Sequence, residues 1–547
     1  MPETREQQAW QLFNAGRLDE SRAVTGELLR MDPANARLLQ LDGMICARQQ
    51  RYAEAEARLK AALEIERSYQ GLLLLGQLYL VAGKTASAEA CLLEASELQP
   101  ESPEPRLTLG NLYAHLGKHE QAIESYRWLV ENAHADAGVW GNMAISLEML
   151  RSNGEARQAA TEALQLDADN PSANLVLARL DRRDDRTRDS VARLQVAIAN
   201  NQHPIHRANL LSELGHALDR MGDFDAAFDA FRRANADLQA VAASAPFDKD
   251  LYRRRIAHFR DAGTLPAGAG ESDETGRQLI FFVGFPRSGT TLLEQILQTR
   301  PGVVTTQEEP LITDLIAQLT GGERRLDAYP AILAGLSASA IDGLRQLYME
   351  NLQRVTRSSG AGLTYIDKLP LNIIEAGFIH MLFPAARFIV ALRDPRDVCL
   401  SCFMQSFKLN PATLHFLDLE DTARFYAAVL ELWGHYKSIL GGLRYHEYRY
   451  EDLVVNFDAT SKQILEFVGV EWDLAVRSFH EQAGAKMVRT PSFIDVSTPL
   501  YTRAVGRWKN YGAQVAAIQD ILAPYVAAFG YSAWNQAHSS PQPQPRP

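Results

Sequence analysis

Cysteine is scarce in this chain, which has four cysteines among 547 residues. So few cannot form the disulfide framework that holds small secreted domains together. Cys399 and Cys402 form a C-x-x-C pair, but no second Cys/His pair lies near them in the sequence to complete a zinc site. We therefore interpret both as thiols of a packed helix and expect that the protein requires no metal.

Basic residues are in the minority, since 56 Lys and Arg stand against 67 Asp and Glu and the formal net charge is −11. A protein that grips nucleic acid over a broad surface needs a basic face, so we expect no nucleic-acid partner. A local basic pocket for an anionic cofactor is still compatible with this charge.

Long apolar runs are lacking as well. The longest run, residues 72–82, is interrupted by Gly76 and Gln77 and is shorter than the roughly 20 residues that a membrane helix needs. Residues 1–8 contain no apolar signal region. We therefore expect no transmembrane segment and a cytoplasmic location.

The length of the chain indicates more than one domain, because single hydrophobic cores stop growing at roughly 250–300 residues. Residues 263–276 are rich in Gly and polar residues without periodicity, which is typical of a linker. We predict a helical repeat array at residues 1–260, a linker at 261–277, a second domain at 278–536 and a disordered Ser/Pro/Gln-rich tail at 537–547.

The first half of the chain repeats with a period of 33–34 residues. In each copy a Gly or polar turn residue precedes a small residue by five positions, and apolar residues recur nearby at helical spacing. The turn residues are Gly16, Gln50, Gly83, Gly117, Arg151 and Gly222, with a degenerate copy near Thr187. Helix pairs of this kind leave one apolar face open, and stacking the pairs buries it in a superhelix.

Two stretches of the repeats, Gly-Lys-His-Glu-Gln-Ala at 117–122 and Asp-Pro-Ala-Asn-Ala at 32–36, resemble the turn and boundary segments of the tetratricopeptide repeat (TPR). The resemblance implies an α-solenoid whose concave surface binds a peptide or protein. The alternative is that the array only supports the second domain or pairs two copies of the chain as a homodimer.

The second half alternates short apolar runs with helical patterns. Residues 279–283 and 388–392 predict strands that are buried on both faces, and 444–449 leads into a third strand. Helices are predicted at 290–298 and from about Pro395. Strands that alternate with helices favour an α/β domain in which a parallel sheet has helices on both faces.

A strand–loop–helix junction lies at residues 284–291, Gly-Phe-Pro-Arg-Ser-Gly-Thr-Thr. The N–H groups and the dipole of a helix start favour an anion, and Gly284 and Gly289 let the backbone approach it closely. The spacing equals that of the P-loop of nucleotide triphosphatases, but Thr290 stands where the P-loop has a lysine. The missing lysine disfavours an ordinary ATPase or kinase.

The segment Pro-Arg-Ser-Gly-Thr-Thr at 286–291 resembles the 5′-phosphosulfate loop of sulfotransferases that use 3′-phosphoadenylyl sulfate (PAPS). Its amino-acid sequence most resembles that of the tyrosylprotein sulfotransferases and of bacterial TPR-linked sulfotransferases. A second motif, Leu-Arg-Asp-Pro-Arg-Asp-Val at 392–398, resembles the family's 3′-phosphate motif, with Arg393 at the strand end and Ser401 on the following helix.

The resemblance implies an enzyme that moves a sulfuryl group from PAPS to an acceptor hydroxyl, with a protein tyrosine as one acceptor class. It implies that the following residues bind PAPS: Pro286, Arg287, Ser288, Gly289, Thr290, Thr291, Arg393, Ser401, Tyr450 and Arg503. In the family, the segment that closes over the cofactor usually has a basic pair before a Gly. In this chain Arg503 is followed by Ala504 instead. The alternative function is a TPR interaction scaffold with an inactive nucleotide-binding domain.

Sulfuryl transfer, like phosphoryl transfer, needs a base for the acceptor and a cation at the leaving group. The resemblance places Lys368 near the bridging oxygen and Ser492 near the sulfuryl group. For the base it offers two neighbours, because counting without gaps selects Glu308 and aligning the Glu pair selects Glu309. We prefer Glu308.

Overall fold

The computed structural model describes five ranges of the chain: 4–261, 276–321, 328–360, 362–479 and 504–532. Contacts between residues divide the chain into two compact units, Met1–His206 and Arg207–Pro547. In the described residues, no helix is long and apolar enough to cross a membrane.

The first unit is built from helices that pack against their sequence neighbours as antiparallel pairs. They are α1 (Arg5–Asn14), α2 (Leu18–Met31), α3 (Ala36–Arg48), α4 (Tyr52–Ile65), α5 (Tyr69–Val81), α6 (Thr85–Leu98), α7 (Pro103–His115), α8 (His119–Glu131), α9 (Ala137–Met149), α10 (Asn153–Leu166), α11 (Pro171–Arg183) and α12 (Thr187–Asn200). Side chains of Asn35, Ser68 and Asp136 accept a backbone N–H at the starts of α3, α5 and α9, which fixes where these helices begin.

The turn between the two helices of each repeat has a left-handed residue where the period predicted a turn. Gly83 and Gly117 both have φ of +71°, and the non-glycine residues Gln50 and Arg151 reach +59° and +61°. The degenerate copy makes the same turn at Asp185, with φ of +60°. The predicted helical repeat architecture is therefore confirmed.

Close packing inside a helix pair explains one of the recurring glycines. Gly110 in α7 faces Tyr126 in α8, and a Cβ added at Gly110 would lie 2.7 Å from the tyrosine ring. Tyr126 is fully buried. A larger residue at position 110 would push the two helices apart.

The second unit begins with helices that precede the Gly-rich segment. They are α13 (Pro204–Met221), of which all but the first three residues belong to this unit, α14 (Phe224–Ala243) and α15 (Leu251–Asp261). Phe231 and Phe259 belong to the same hydrophobic core as the sheet residue Phe281. Arg255 and Glu375, both buried, form an ion pair at 3.3 Å.

The division at residue 206 assigns α14 and α15 to the second unit, where they bury apolar side chains and a charged pair. The domain bounds predicted from the sequence stay a prediction. Most of the predicted linker, residues 262–275, lies outside the described residues, as does the predicted tail.

The second unit contains a five-stranded parallel sheet with the order β2-β3-β1-β4-β5. The strands are β1 (Leu279–Gly284), β2 (Val303–Thr305), β3 (Thr364–Lys368), β4 (Arg387–Leu392) and β5 (Arg444–Arg449). The sequence predicted β1, β4 and β5, whereas β2 and β3 were not predicted. In the register, Phe282 of β1 lies beside Lys368 of β3, and Gly284 lies beside Ala391 of β4.

Helices cover both faces of this sheet. They are α16 (Thr290–Gln298), α17 (Leu311–Leu319), α18 (Ala338–Thr356), α19 (Ala376–Leu382), α20 (Pro395–Met404), α21 (Leu419–Ile439), α22 (Tyr450–Val455), α23 (Phe457–Val468), α24 (Gly512–Val515) and α25 (Gln519–Ala528). Short 3₁₀ segments occupy Gly276–Gln278, Ala331–Gly335, Pro370–Ile373, Thr413–Leu417, Leu474–Ser478, Arg507–Tyr511 and Ala516–Ile518.

Alternate side chains of β1 enter two different cores, with Phe281 and Val283 on one face and Ile280 and Phe282 on the other. The predicted parallel sheet with helices on both faces is confirmed. The carboxyl ends of β1, β3 and β4 meet at one edge, the place where open parallel sheets bind ligands.

Candidate active site

The loop after β1 approaches its neighbours so closely that two of its positions have no room for a side chain. A Cβ at Gly284 would lie 2.8 Å from the carbonyl oxygen of Ala391, and one at Gly289 would lie 2.3 Å from the Tyr450 ring. Gly289 has φ of +87° and begins α16 without a side-chain cap. The start of α16 therefore has the geometry of an anion site.

Hydroxyl and basic side chains surround this helix start. Ser288, Thr290 and Thr291 are buried. Arg287 has φ of +69°, a left-handed conformation that residues with a Cβ rarely adopt, which fits a loop shaped by function rather than by local preference. The Pro286 carbonyl oxygen accepts a hydrogen bond from the Cys402 thiol at 3.4 Å.

The two predicted phosphate motifs lie side by side. Arg393 Nη1 donates to the Arg287 carbonyl oxygen at 2.9 Å, and Arg287 Nε donates to Ser401 Oγ at 3.1 Å. Arg393 Nη2 donates to the carbonyl oxygen of Ala504 at 2.6 Å, and its guanidinium lies over the Tyr450 ring, 5.1 Å from the centroid. Residues that are 106 positions apart in sequence thus form one basic site.

A buried carboxylate holds the segment that follows Arg503. Asp397 accepts hydrogen bonds from the backbone N–H of Gly506 at 2.7 Å and of Trp508 at 2.8 Å. Burial raises the pKa of Asp397 to about 6, and the nearby positive charge of Arg393 opposes that rise. Arg396 stacks on the Trp508 ring, 3.8 Å from the centroid.

A second buried carboxylate fixes the turn after β4. Glu451 Oε1 accepts from the backbone N–H of Asp394 at 3.0 Å, and Glu451 Oε2 accepts from the Tyr531 hydroxyl at 2.8 Å. Burial raises the pKa of Glu451 to about 7, although these hydrogen bonds lower it. Glu451 therefore fixes the turn that carries Arg393 through the backbone of Asp394.

Lys368, at the end of β3, is completely buried between two carboxylates. Its Nζ lies 2.6 Å from Glu308 Oε1 and 2.9 Å from Glu294 Oε2. Glu294 is 1% exposed, and burial raises its pKa while the Lys368 ammonium opposes the rise. The Glu308 side chain is 31% exposed, so this carboxylate connects the buried ammonium to the surface of the site.

The structure distinguishes the two neighbouring glutamates by position. Glu308 has φ of +68° and contacts Lys368, whereas the backbone N–H of Glu309 donates to the Thr306 carbonyl oxygen at 3.2 Å. The predicted site residues Ser492 and Arg503 lie outside the described residues.

Sequence reasoning did not find Glu294, Asp397 or Glu451. Glu294 is four positions after Thr290, one helical turn along α16. This spacing was the only sequence signal that Glu294 lies on the same side of the helix as Thr290. Because β3 was not predicted, nothing indicated that Lys368 would face that turn. Asp397 and Glu451 act on backbone groups that are distant in sequence, and no motif marks such partners.

Metal chemistry has no evident site in the described parts of the chain, where no group of three or more His, Cys, Asp or Glu is arranged to hold an ion. Cys399 and Cys402 are buried free thiols, in agreement with their interpretation as packed helix residues.

Comparison with known proteins agrees with this geometry. Residues 279–474 match the sulfotransferase family, and residues 7–70, 73–138 and 107–173 match the tetratricopeptide repeat. The five-stranded sheet and the basic site formed by Arg287, Arg393 and Ser401 lie within the residues that match the sulfotransferase family. The second half of the chain therefore contains a domain that matches the sulfotransferase family, and the first half contains tetratricopeptide repeats.

Relatives cover either most of the chain or about half of it. An uncharacterized protein of Aquifex aeolicus is 26% identical over 541 residues, which are 93% of this chain and 68% of that protein. Protein-tyrosine sulfotransferase 2 of Gallus gallus is 25% identical over 280 residues, 49% of this chain and 73% of the relative. Protein-tyrosine sulfotransferase 1 of Homo sapiens is 24% identical over 280 residues, which are 49% of this chain and 73% of the relative.

Comparison with solved structures also found matches over part of this chain. A tetratricopeptide repeat protein from Parabacteroides merdae is 19% identical and superposes with a TM-score of 0.36 over 42% of this chain and 91% of its own.

Proposed function

We propose that the second unit transfers the sulfuryl group of PAPS to an acceptor hydroxyl, with a protein tyrosine as the acceptor class. The observation that carries this proposal is the contact between the two phosphate motifs through Arg393, Arg287 and Ser401. A single anion loop would suit any phosphate, but two adjoining basic ends suit a nucleotide that carries anionic groups at both its 5′ and 3′ positions.

The residues present fit PAPS in shape and in donor chemistry. Positions 284 and 289 leave a cradle that a Cβ would fill, and the helix start at Thr290 favours an anion. We assign the 5′-phosphosulfate end to Pro286, Arg287, Ser288, Gly289, Thr290 and Thr291. Here the hydroxyl and guanidinium groups donate hydrogen bonds to an anion and hold it in place.

We assign the 3′-phosphate to Arg393 and Ser401, with Arg503 as a further basic contact and Tyr450 as a wall of the nucleotide pocket. An arginine suits this role because its planar guanidinium binds phosphate through two parallel hydrogen bonds. Glu451 holds the Arg393 turn through the backbone of Asp394, and this fixes the backbone from which the Arg393 side chain extends.

We assign the base to Glu308, with Glu309 as the second candidate. The Glu308 carboxylate lies 2.6 Å from the Lys368 ammonium and is partly open to solvent, so it is placed to accept the proton of the acceptor hydroxyl. Lys368 supplies positive charge where the leaving group develops negative charge, and Ser492 is assigned a place near the sulfuryl group. PAPS itself supplies the activated sulfuryl group.

Two observations support a protein acceptor. The relatives that match the second half are protein-tyrosine sulfotransferases, and the first half consists of repeats of a kind that bind peptides. We infer that the repeat array binds the substrate or a partner protein. Burying the Lys368 ammonium between two carboxylates costs desolvation free energy, and an inactive scaffold would not need this arrangement.

The direct test is transfer of labelled sulfate from PAPS into matched peptides that differ only in carrying Tyr, Phe or Ser at one position. We expect label in the Tyr peptide alone. Label in the Ser peptide would reassign the acceptor, and absence of label in peptides, glycans and a cell lysate would overturn the enzymatic proposal. The exposed Glu466 supplies a matched control, because Glu466→Gln should retain transfer and Glu308→Gln should lose it.

A further inference from the structure

A single carboxylate on the last turn of α13 contacts the segment that borders the basic site. The Tyr511 hydroxyl donates to Asp219 Oδ1 at 2.5 Å, and Arg507 Nη2 lies 2.9 Å from Asp219 Oδ2. Tyr511 is fully buried and packs edge-on against Phe224, with ring centroids 5.3 Å apart. Asp219 therefore ties both ends of Arg507–Tyr511 to the helices that precede the sheet.

The opposite side of the same segment contacts the nucleotide site. The Ala504 carbonyl oxygen accepts from Arg393, and the N–H groups of Gly506 and Trp508 donate to Asp397. Residues 504–511, which we call the closing segment, thus lie between α13 and the turn that carries Arg393. Backbone hydrogen bonds of the closing segment thus connect the α13 side to Arg393 and Asp397.

Other contacts join the same helices to the elements of the site. Gln514, just beyond the closing segment, donates to Asp225 Oδ1 of α14 at 2.6 Å. Asn235 of α14 donates to the Phe403 carbonyl oxygen at 3.0 Å, near the end of the helix that carries Ser401. The helices α13 and α14 therefore support both sides of the proposed 3′-phosphate position.

We propose that Asp219 is a positioning residue for the nucleotide: it anchors the closing segment against the Arg393 turn before the nucleotide binds. The inference rests on the proposed function, since it takes Arg393 as the 3′-phosphate ligand. Ordering a segment in advance removes an entropic cost that binding would otherwise incur. A hydrogen bond from a buried hydroxyl to a carboxylate is strong enough to do so.

One consequence concerns where the catalytic unit begins. Asp219 lies about 40 residues before the Gly-rich segment at 263–276, so a fragment that starts at the sheet lacks the anchor. The helices α13 to α15 continue the repeat array in sequence, yet they belong to the catalytic unit in structure.

The test uses the full chain and calorimetric titration with adenosine 3′,5′-bisphosphate. Asp219→Asn should weaken binding about tenfold, because a neutral amide weakens the contacts to Tyr511 and Arg507. The matched control is Asp229→Asn, which removes an exposed aspartate paired with Arg232 on α14 and should leave affinity unchanged. In steady-state assays Asp219→Asn should raise KM for PAPS and retain kcat, because Asp219 touches no reacting atom.

Hydrogen–deuterium exchange without nucleotide gives an independent measurement. Asp219→Asn should raise exchange in residues 504–511 and leave β1 and β4 protected. Tyr511→Phe removes only the donating hydroxyl, and it should reproduce both effects if Asp219→Asn fails to fold. The double variant should bind no more weakly than Asp219→Asn alone, because the contact that Tyr511→Phe removes is one of the two that Asp219→Asn already weakens.

Wild-type affinity together with wild-type exchange in either variant would overturn the inference. If the wild-type chain does not bind the bisphosphate, the proposed function fails, whereas the exchange measurement still decides whether Asp219 anchors the closing segment.

Discussion

Lys368 and Glu308 meet at 2.6 Å because β2 and β3 lie side by side in the sheet. Thr305 of β2 is in register with Ile366 of β3, so the turn that follows β2 passes the end of β3. This places a carboxylate that is partly open to solvent against an ammonium that is fully buried. The pairing depends on sheet register and therefore on the whole second unit.

The first prediction separates the two candidate bases. Glu308→Gln should abolish sulfate transfer and leave the affinity for adenosine 3′,5′-bisphosphate within about twofold, because the amide keeps the shape but accepts no proton. Glu309→Gln should retain transfer. Labelled transfer and calorimetry on both variants provide the check, and the opposite pattern would move the base to Glu309.

The second prediction concerns the buried charges. Lys368→Met leaves Glu294 buried without its counterion, and it should destabilise the protein by about 3–5 kcal/mol. Adding Glu294→Gln should restore part of that loss, although the double variant remains inactive. Urea unfolding of the wild-type, single and double variants measures the coupling. Additive effects would show that Glu294 and Lys368 do not compensate each other.

The third prediction tests the 3′ end of the site. Arg393→Ala should weaken binding of adenosine 3′,5′-bisphosphate by about 1.5–3 kcal/mol, the range for a hydrogen bond to a charged group. Adenosine 5′-monophosphate, which lacks the 3′-phosphate, should bind the wild-type and the variant alike. An equal loss for both ligands would indicate that Arg393 only supports the loop at Arg287.

The fourth prediction is a dependence of stability on pH. Burial raises the pKa of Glu451 to about 7, above its value near 4.5 in the unfolded chain, so the folded protein holds this proton more tightly. The contribution of Glu451 to stability is therefore present at low pH and is lost as the pH rises from about 4.5 to about 7. Glu451→Gln cannot titrate and should gain stability relative to the wild type across that window, by on the order of 2–3 kcal/mol.

Urea midpoints at pH 5 and pH 8 measure this difference. The glutamine amide can still accept from the Asp394 N–H, and its NH₂ group can donate to the Tyr531 hydroxyl, so both partners keep a hydrogen bond although the one with Tyr531 reverses direction. A constant difference between wild type and variant at both pH values would contradict the raised pKa.

Much of the architecture could be predicted from patterns that repeat locally. The repeat turns were located by their period, and the strands β1 and β4 by unbroken apolar runs. The strand β3 was not predicted because its sequence, Thr-Tyr-Ile-Asp-Lys, ends in two charged residues, and their burial depends on partners elsewhere in the chain. The sequence also could not show that the apolar faces of α14 and α15 enter the core of the second unit, because both helices keep the helical pattern of the repeats.

The candidate site shows the same limit. The motifs located Arg287 and Arg393 but not the contact between them, which exists because β1 and β4 are neighbours in the sheet. Glu294, Asp397 and Asp219 bind groups that are distant in sequence, and only the folded chain brings those groups within hydrogen-bond distance.

The central claim is that the site binds a nucleotide with anionic groups at both ends. Calorimetric titration of the wild-type chain with adenosine 3′,5′-bisphosphate, and separately with ATP, tests it most directly. The account predicts saturable binding of the bisphosphate and much weaker binding of ATP, because Thr290 replaces the P-loop lysine and Arg393 requires a 3′-phosphate. Binding of ATP alone, or of neither nucleotide, would contradict it.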